Sequence, residues 1–142
     1  MQFCLILNNH HNADLIEQLN PVLTIAANET TCLDSLKYWS LSIEEKMFDE
    51  YTDIDWVVYC NNSSYKLEKF FSSVEQRYVS NCIFTTDNKI NLLDQNFYCR
   101  PHVFSYLAAH HKISTPNIVN NVTDETKLFF MAMRNNLEIV NL

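Results

Sequence analysis

The chain has 142 residues, a formal net charge of −7 at pH 7, and a composition that is 47% hydrophobic and 19% charged. These values fit a single globular domain spanning residues 1–142 and exclude an intrinsically disordered chain. The acidic balance opposes binding to nucleic acids, which favours a basic surface, and no apolar run approaches the ~20 residues that span a bilayer.

Apolar runs and helical spacing predict three strands and two helical regions in the first half of the chain. They are strand 3–7, helix 12–19, strand 22–26, a helical region from 29 to about 51, and strand 53–60. In the long helical region, apolar residues that include Tyr38 and Phe48 recur near helical spacing. Ser42 and Glu45 have the spacing of a capping box, which predicts that a second helix begins there.

The second half of the chain predicts a further alternation of helices and strands. The segments are helix 65–79, strand 82–86, a polar loop 87–94, a helix from Pro101 to 111 that 114–116 breaks, a strand stub 118–119, a helix from Thr123 or Asp124 to about 134, and strand 137–142. Because strands alternate with helices throughout, the sequence predicts an α/β fold with a mixed, mostly parallel sheet flanked by helices.

The absence of glycine limits both turns and ligand sites. Glycine-rich phosphate loops are excluded, both the dinucleotide fingerprint and the P-loop. Turns that need positive φ must use other residues, and asparagine tolerates this region best after glycine. We therefore interpret pairs such as Asn8-Asn9 and Asn61-Asn62 as turn and cap residues.

Residues 128–133 form an apolar run inside the last predicted helix. The run covers more than one helical turn, so every face of the helix is apolar and we expect it to be buried on all sides. A subunit interface or a layered core would provide this burial, and a deeply packed terminal helix in a monomer is the alternative. The predicted interface residues are Leu128, Phe129, Phe130, Met131 and Met133.

The cysteines provide the candidate nucleophile. Cys60 ends a predicted strand before a possible helix N-terminus, a placement that can lower a thiol pKa. A buried structural cysteine is the alternative. The five cysteines, at positions 4, 32, 60, 82 and 99, include no close pair, and no signal peptide is expected, so we predict reduced thiols in a cytoplasmic protein.

Cys99, His102 and His110 form the candidate metal cluster, since Cys99 and His102 are three residues apart and His110 follows about two helical turns later. Structural zinc sites usually show two short-spaced ligand pairs, and the second cysteine pair is missing here. A core cysteine with solvent-facing histidines is the alternative, and we expect no metal or other cofactor. The acidic residues of 44–50 are interpreted as a solvated helix face rather than an acid–base pair.

Two stretches of the chain together resemble a known family. Residues 38–63 combine an amphipathic helix, acidic residues and the strand that ends at Cys60. Residues 102–142 combine a helix, a short strand, Asn120-Asn121, Thr123, the apolar run 128–133 and a final strand. This order is similar to the N-terminal half of the thiolase-like condensing enzymes, the β-ketoacyl synthases. The resemblance places the nucleophilic cysteine of that family near Thr123, where this chain has none. It therefore implies a degenerate half-unit that cannot carry out Claisen condensation alone.

Three functional hypotheses follow from these observations. The first is a non-catalytic ketosynthase-like protein that associates with a partner subunit, a condensing enzyme or an acyl carrier system, in fatty acid or polyketide-type biosynthesis. It predicts a homo-oligomer or a heteromer. The second is a small acidic inhibitor or immunity-type protein that binds a basic partner protein. The third is a cysteine-dependent enzyme that uses Cys60.

Overall fold

The computed structural model describes residues 1–8, 13–26, 33–76, 80–89, 92–118 and 137–142. Within these ranges six strands and four α-helices follow one another in the chain. They are β1 (Phe3–Leu7), α1 (Ala13–Leu19), β2 (Leu23–Ala26), α2 (Leu33–Asp49), β3 (Trp56–Cys60), α3 (Leu67–Gln76), β4 (Cys82–Thr85), β5 (Phe97–Cys99), α4 (Pro101–Ile118) and β6 (Glu138–Asn141), with a short 3-10 helix at Leu92–Asp94.

The strands form one sheet in the order β2-β1-β3-β5-β4-β6. β1 pairs in parallel with both β2 and β3, and β4 pairs in parallel with β6. β5 is antiparallel to both of its neighbours, β3 and β4. Five of these six strands therefore point in the same direction, which confirms the predicted α/β fold with a mixed, mostly parallel sheet.

Helices cover both faces of the sheet. Because successive side chains of a strand point to opposite faces, each strand contributes to two apolar layers. In β1, Cys4 and Ile6 pack in the apolar layer that contains residues of α2 and α4. Phe3, Leu5 and Leu7 pack in the opposite layer, which contains residues of α1 and α3. Because both faces are covered, every residue of the central strands β1 and β3 is buried.

Phe70 of α3 lies at the centre of the second layer. Its ring stacks on Tyr98 at 4.2 Å between centroids, and it meets the edges of Trp56 and Phe84 at 4.9 and 5.5 Å. Aromatic pairs of this kind contribute about 0.5–1.5 kcal/mol each beyond the burial of their surface. This cluster therefore fixes α3 against three neighbouring strands.

Asparagine does adopt positive φ at two turns, but at Asn20 and Asn88 rather than at the described members of the predicted pairs, Asn8, Asn61 and Asn62. Tyr51 and Lys66 also have positive φ, which the sequence did not predict. Tyr51 lies just after α2, and Lys66 lies just before α3. In a chain without glycine, residues other than asparagine thus also adopt positive φ at the ends of two helices.

Three local predictions were wrong. α2 is one continuous helix, because the Ser42 hydroxyl donates back to the carbonyl of Tyr38 at 2.9 Å instead of capping a new helix. α4 continues through Pro116 to Ile118, so no break occurs at 114–116 and Ile118 is helical rather than a strand residue. β5 was missed because a strand of three residues is too short to show a periodicity.

Several predicted features lie outside the described residues: Cys32, Val119, Thr123, the helix from 123 or 124 to 134, and the apolar run of Leu128, Phe129, Phe130, Met131 and Met133. In the part of the chain that the structure describes, no helix has the length and apolar character needed to cross a membrane.

Candidate functional site

Cys60 is the last residue of β3 and is buried in the layer formed with α1 and α3. Its thiol donates a hydrogen bond to the carbonyl of Asn62 at 3.3 Å. Burial raises the pKa of Cys60 from its ordinary 9.0 to about 11. The reactive thiolate is therefore disfavoured at neutral pH, and the surroundings of Cys60 match a structural cysteine better than a nucleophile.

The candidate metal ligands do not converge in the described part of the chain. Cys99 is fully buried on β5, and burial raises its pKa far above the ordinary value. His102 is exposed, with its Nε2 atom 3.3 Å from the side-chain oxygen of Asn81. The side chain of His110 lies outside the described residues. Among those described, no three histidine, cysteine, aspartate or glutamate side chains gather into a possible metal site.

The remaining described cysteines support the prediction of reduced thiols. Cys4, Cys60, Cys82 and Cys99 are all buried, and none of them forms a disulfide. Burial raises the pKa of Cys4 from 9.0 to about 12. These cysteines act as small apolar residues in the two layers of the core.

A polar cluster occupies the edge of the sheet where the parallel strands end, which is where open α/β sheets usually bind ligands. Its centre is Asn96, which is fully buried just before β5. The Asn96 side-chain oxygen accepts the backbone N–H groups of Asn61 and Asn62 at 2.6 and 3.0 Å. Its amide nitrogen donates to the carbonyl and the side-chain oxygen of Asn62, both at 3.1 Å. Asn96 therefore connects the turn after β3 to the start of β5.

The rest of this cluster is also bonded internally. The Asn62 amide nitrogen donates to Asp87 at 3.0 Å. The Lys66 ammonium donates to the carbonyls of Thr86 and Leu142, at 2.6 and 3.2 Å, and so joins the ends of β4 and β6. Because these polar groups satisfy one another, the cluster holds the strand ends together and offers few free groups to a ligand. The exception is the buried side-chain oxygen of Asn8, which accepts no hydrogen bond among the described residues.

A different surface, the outer face of α2, exposes large apolar side chains. Tyr38 is 64% exposed, Leu41 53% and Phe48 81%, and they lie at positions i, i+3 and i+10 of one helical face. Tyr51, just after the helix, is 94% exposed. We call Tyr38, Leu41, Phe48 and Tyr51 the α2 stripe.

The opposite face of α2 supplies the buried contacts with the sheet. Leu36, Trp39 and Ile43 are buried there, at positions i, i+3 and i+7. Sequence spacing grouped Tyr38 and Phe48 with these residues. The structure separates the two sets, because each residue advances the helix by about 100° and Leu41 and Ile43 therefore point about 200° apart. The signal that could have found the stripe was a second apolar series on one helix.

Acidic side chains border the α2 stripe. Glu44, Glu45, Asp49 and Glu50 are exposed, which confirms the predicted solvated helix face, and Asp53 beyond the helix is exposed as well. Glu45 and Asp49 have no ion-pair partner within the described ranges. Lys46, by contrast, pairs with Glu50 one turn along the helix at 2.5 Å. The stripe therefore lies in a region of excess negative charge.

A groove of about 300 Å³ lies beside the stripe, between α2 and α4. Small residues make up much of its lining, since the hydroxyl oxygens of Ser40 and Ser105 are 3.0 Å apart and Ala108 and Ala109 follow on α4, and Lys37 lines it as well. Leu41 and Glu44 line the groove, and Leu41 also belongs to the stripe. The Ser105 hydroxyl is within 3.0 Å of the Glu44 carboxylate as well. The groove and the stripe are thus parts of one continuous surface.

Comparison of the chain with protein-family models, with curated proteins and with solved structures gives no match. Functional inference therefore depends on the geometry of the chain itself.

Proposed function

We propose that this chain is a non-catalytic domain that acts by binding another protein. The observation that carries the proposal is the α2 stripe, where Tyr38, Leu41, Phe48 and Tyr51 are all more than half exposed. Protein–protein interfaces are enriched in tyrosine and phenylalanine, and large aromatic side chains dominate their binding energy. Several large apolar side chains exposed along one helical face are typical of interaction sites, whereas apolar residues exposed singly need no explanation.

The surroundings of the candidate nucleophile favour binding over catalysis. The Cys60 thiol is buried and its pKa is raised to about 11, whereas catalytic thiols usually have lowered values. Labelling with iodoacetamide at neutral pH tests this part of the proposal. We expect native Cys60 to react more slowly than free cysteine and to react fully after denaturation. Faster labelling than free cysteine in the native protein would favour the cysteine-dependent enzyme instead.

The identity of the partner separates the two binding hypotheses. The resemblance to condensing enzymes predicts a condensing enzyme or an acyl carrier system as the partner. The acidic charge favours the alternative, an inhibitor or immunity-type protein that binds a basic protein. Both share the requirement that a protein surface of this chain be complementary to a partner.

Affinity purification of the tagged protein from its natural host, with a stripe variant in parallel, tests the proposed function. The variant combines Leu41→Ser with Phe48→Ser, two exposed positions whose substitution leaves the core intact. We expect a partner that is enriched with the wild-type chain, lost with the variant, and able to bind again when both proteins are purified. Identical sets of co-purified proteins for the two chains would contradict the proposal.

A further inference from the structure

The chemistry of the surface around α2 indicates what kind of partner segment it fits. The stripe offers aromatic and aliphatic side chains, and the adjoining groove between two helices is lined largely by small residues. A groove of about 300 Å³ is at the lower limit of small-molecule pockets, and it opens to the surface beside an exposed helix face. This shape is suited to side chains of an amphipathic segment that lies along α2 rather than to an enclosed cofactor.

The charges around the surface indicate which charge the partner segment carries. Glu44, Glu45, Asp49 and Asp53 are exposed around the stripe, and the whole chain carries a net charge of −7. Two lysines of α2 lie nearby, Lys37 as a lining residue of the groove and Lys46 in its pair with Glu50, so the carboxylates still outnumber the cations. A partner with lysine or arginine on the flanks of its apolar face would place opposite charges next to these carboxylates. Charge complementarity thus favours a basic segment.

A second copy of this chain fits the same surface poorly. In a two-fold symmetric contact, each patch meets an identical patch, so the acidic border of one copy would face the acidic border of the other. Like charges placed together across an interface oppose association. The geometry therefore favours a heteromeric contact over a homodimer through α2.

We propose that the α2 stripe and the groove between α2 and α4 bind a basic amphipathic helix of a partner protein. One apolar side chain of that helix enters the groove between Leu41 and Ala108, and others cover Phe48 and Tyr51. Basic side chains on its flanks pair with Glu44, Glu45 and Asp49. This inference rests on the proposed function and adds the chemical class of the partner.

A synthetic helix tests the inference without knowledge of the natural partner. The probe is a fluorescein-labelled peptide of leucine and lysine, spaced so that leucines form one helical face and lysines the other. The control peptide has glutamate at every lysine position. We expect the leucine–lysine peptide to bind with an affinity that falls as salt rises, and the leucine–glutamate peptide not to bind.

Matched variants separate binding at α2 from general attraction to an acidic protein. Glu44→Gln with Glu45→Gln removes two charges at the stripe, whereas Glu68→Gln with Glu75→Gln removes two exposed charges from α3. We expect the first pair to weaken peptide binding several-fold more than the second. Leu41→Ser with Phe48→Ser should weaken binding about tenfold or more, as loss of central interface side chains does. Circular dichroism and thermal melting confirm that each variant is folded.

Each of the following results would overturn the inference. These are equal effects of the two glutamine pairs, amide chemical-shift changes spread over the whole chain instead of α2 and α4, and a homodimer in light scattering that Leu41→Ser with Phe48→Ser abolishes. If the peptide fails to bind while a natural partner is still lost with the stripe variant, the proposed function stands and only the basic helical chemistry is wrong. If no partner depends on the stripe, the proposed function itself fails.

Discussion

At the scale of single residues, Tyr51 has a backbone conformation that suits its side chain poorly. Its φ is 50°, just after the end of α2, where glycine or asparagine usually stands. A residue with a bulky side chain costs roughly 1–2 kcal/mol in this region relative to its relaxed conformation. Nearly all of the Tyr51 side chain is exposed, so packing within the chain does not offset this cost. Strained residues of this kind tend to occur at functional sites, which agrees with a role of Tyr51 in binding.

Replacement of Tyr51 tests whether its positive φ lowers the free energy of unfolding. We expect Tyr51→Gly to raise the free energy of unfolding by about 1 kcal/mol, because glycine adopts positive φ without steric cost. Tyr51→Asn should give a smaller gain. Urea denaturation followed by circular dichroism measures both changes. A loss of stability in both variants would show that Tyr51 makes a stabilising contact and is not strained.

Asn96 has the opposite character, since every hydrogen-bonding group of its side chain is used within the protein. We expect Asn96→Ala to lower the free energy of unfolding by about 2–4 kcal/mol, because the buried N–H groups of Asn61 and Asn62 lose their acceptor. Asn141→Ala, on an exposed part of β6, is the control and should have little effect.

A second substitution at the same position separates the acceptor role of the Asn96 side chain from its donor role. Asn96→Asp keeps the acceptor but places oxygen where the amide donated to Asn62. Its destabilisation should therefore shrink as the pH falls and the carboxyl group gains a proton. A small, pH-independent effect of both substitutions would mean that Asn96 does not hold the two segments together.

At the scale of elements, α2 presents two apolar faces with different roles. Ile43 is 2% exposed in the core, whereas Leu41, two residues earlier, is 53% exposed. We expect Ile43→Ala to lower the free energy of unfolding by about 2–5 kcal/mol, since it leaves a cavity in a packed layer. Leu41→Ala should change it by no more than about 0.5 kcal/mol. Chemical denaturation of the two variants compares isomeric side chains on one helix. Equal losses would show that both faces of α2 are buried in solution.

The connections between strands add a feature that no local pattern encodes. The β1–α1–β2 and β3–α3–β4 connections cross the sheet in opposite directions, yet α1 and α3 lie on the same face. Two such connections between parallel strands must have opposite hands. α2 crosses back on the other face and shares the hand of the first connection. Because about 98% of such crossovers are right-handed, a sheet that contains connections of both hands is uncommon.

At the scale of the whole molecule, buried thiol and tyrosine hydroxyl groups make the free energy of unfolding depend on pH in the alkaline range. Burial raises the pKa of Cys4 and Tyr59 to about 12 and that of Cys60 to about 11. The folded chain therefore holds these protons more tightly than the unfolded chain, in which thiols titrate near 9.0. Their contribution to stability is complete below pH 9 and is lost as the pH rises toward 11 and 12.

We expect the urea midpoint of unfolding to fall steadily above pH 9. The variant Cys60→Ala should fall less steeply over the same range, because one of the coupled protons is gone, even if its stability at neutral pH is lower. The comparison of slopes removes the background from exposed lysine and tyrosine residues. A midpoint that stays constant up to pH 11 would contradict the burial of these groups.

The sequence by itself determined the fold class and most of the elements. Strands such as β1 and β3 are continuous apolar runs bounded by polar residues, and a run of this kind is buried wherever the sheet places it. The exposed acidic face of α2 and the burial of the cysteines could also be predicted from the sequence, because both depend mainly on local composition. No local signal marked β5 or the role of Asn96, because a three-residue strand and a buried amide depend on contacts with distant segments.

Only the tertiary structure decided which apolar face of α2 is buried. Periodicity shows that Tyr38, Trp39 and Ile43 belong to one helix, but it does not show which residues the sheet and α4 cover. α4 packs beside α2 on the same face of the sheet, covers Trp39 and Ile43 together with the strands, and leaves the stripe exposed. The candidate site is therefore a consequence of packing between segments far apart in the chain, and the sequence alone does not encode its position in any local pattern.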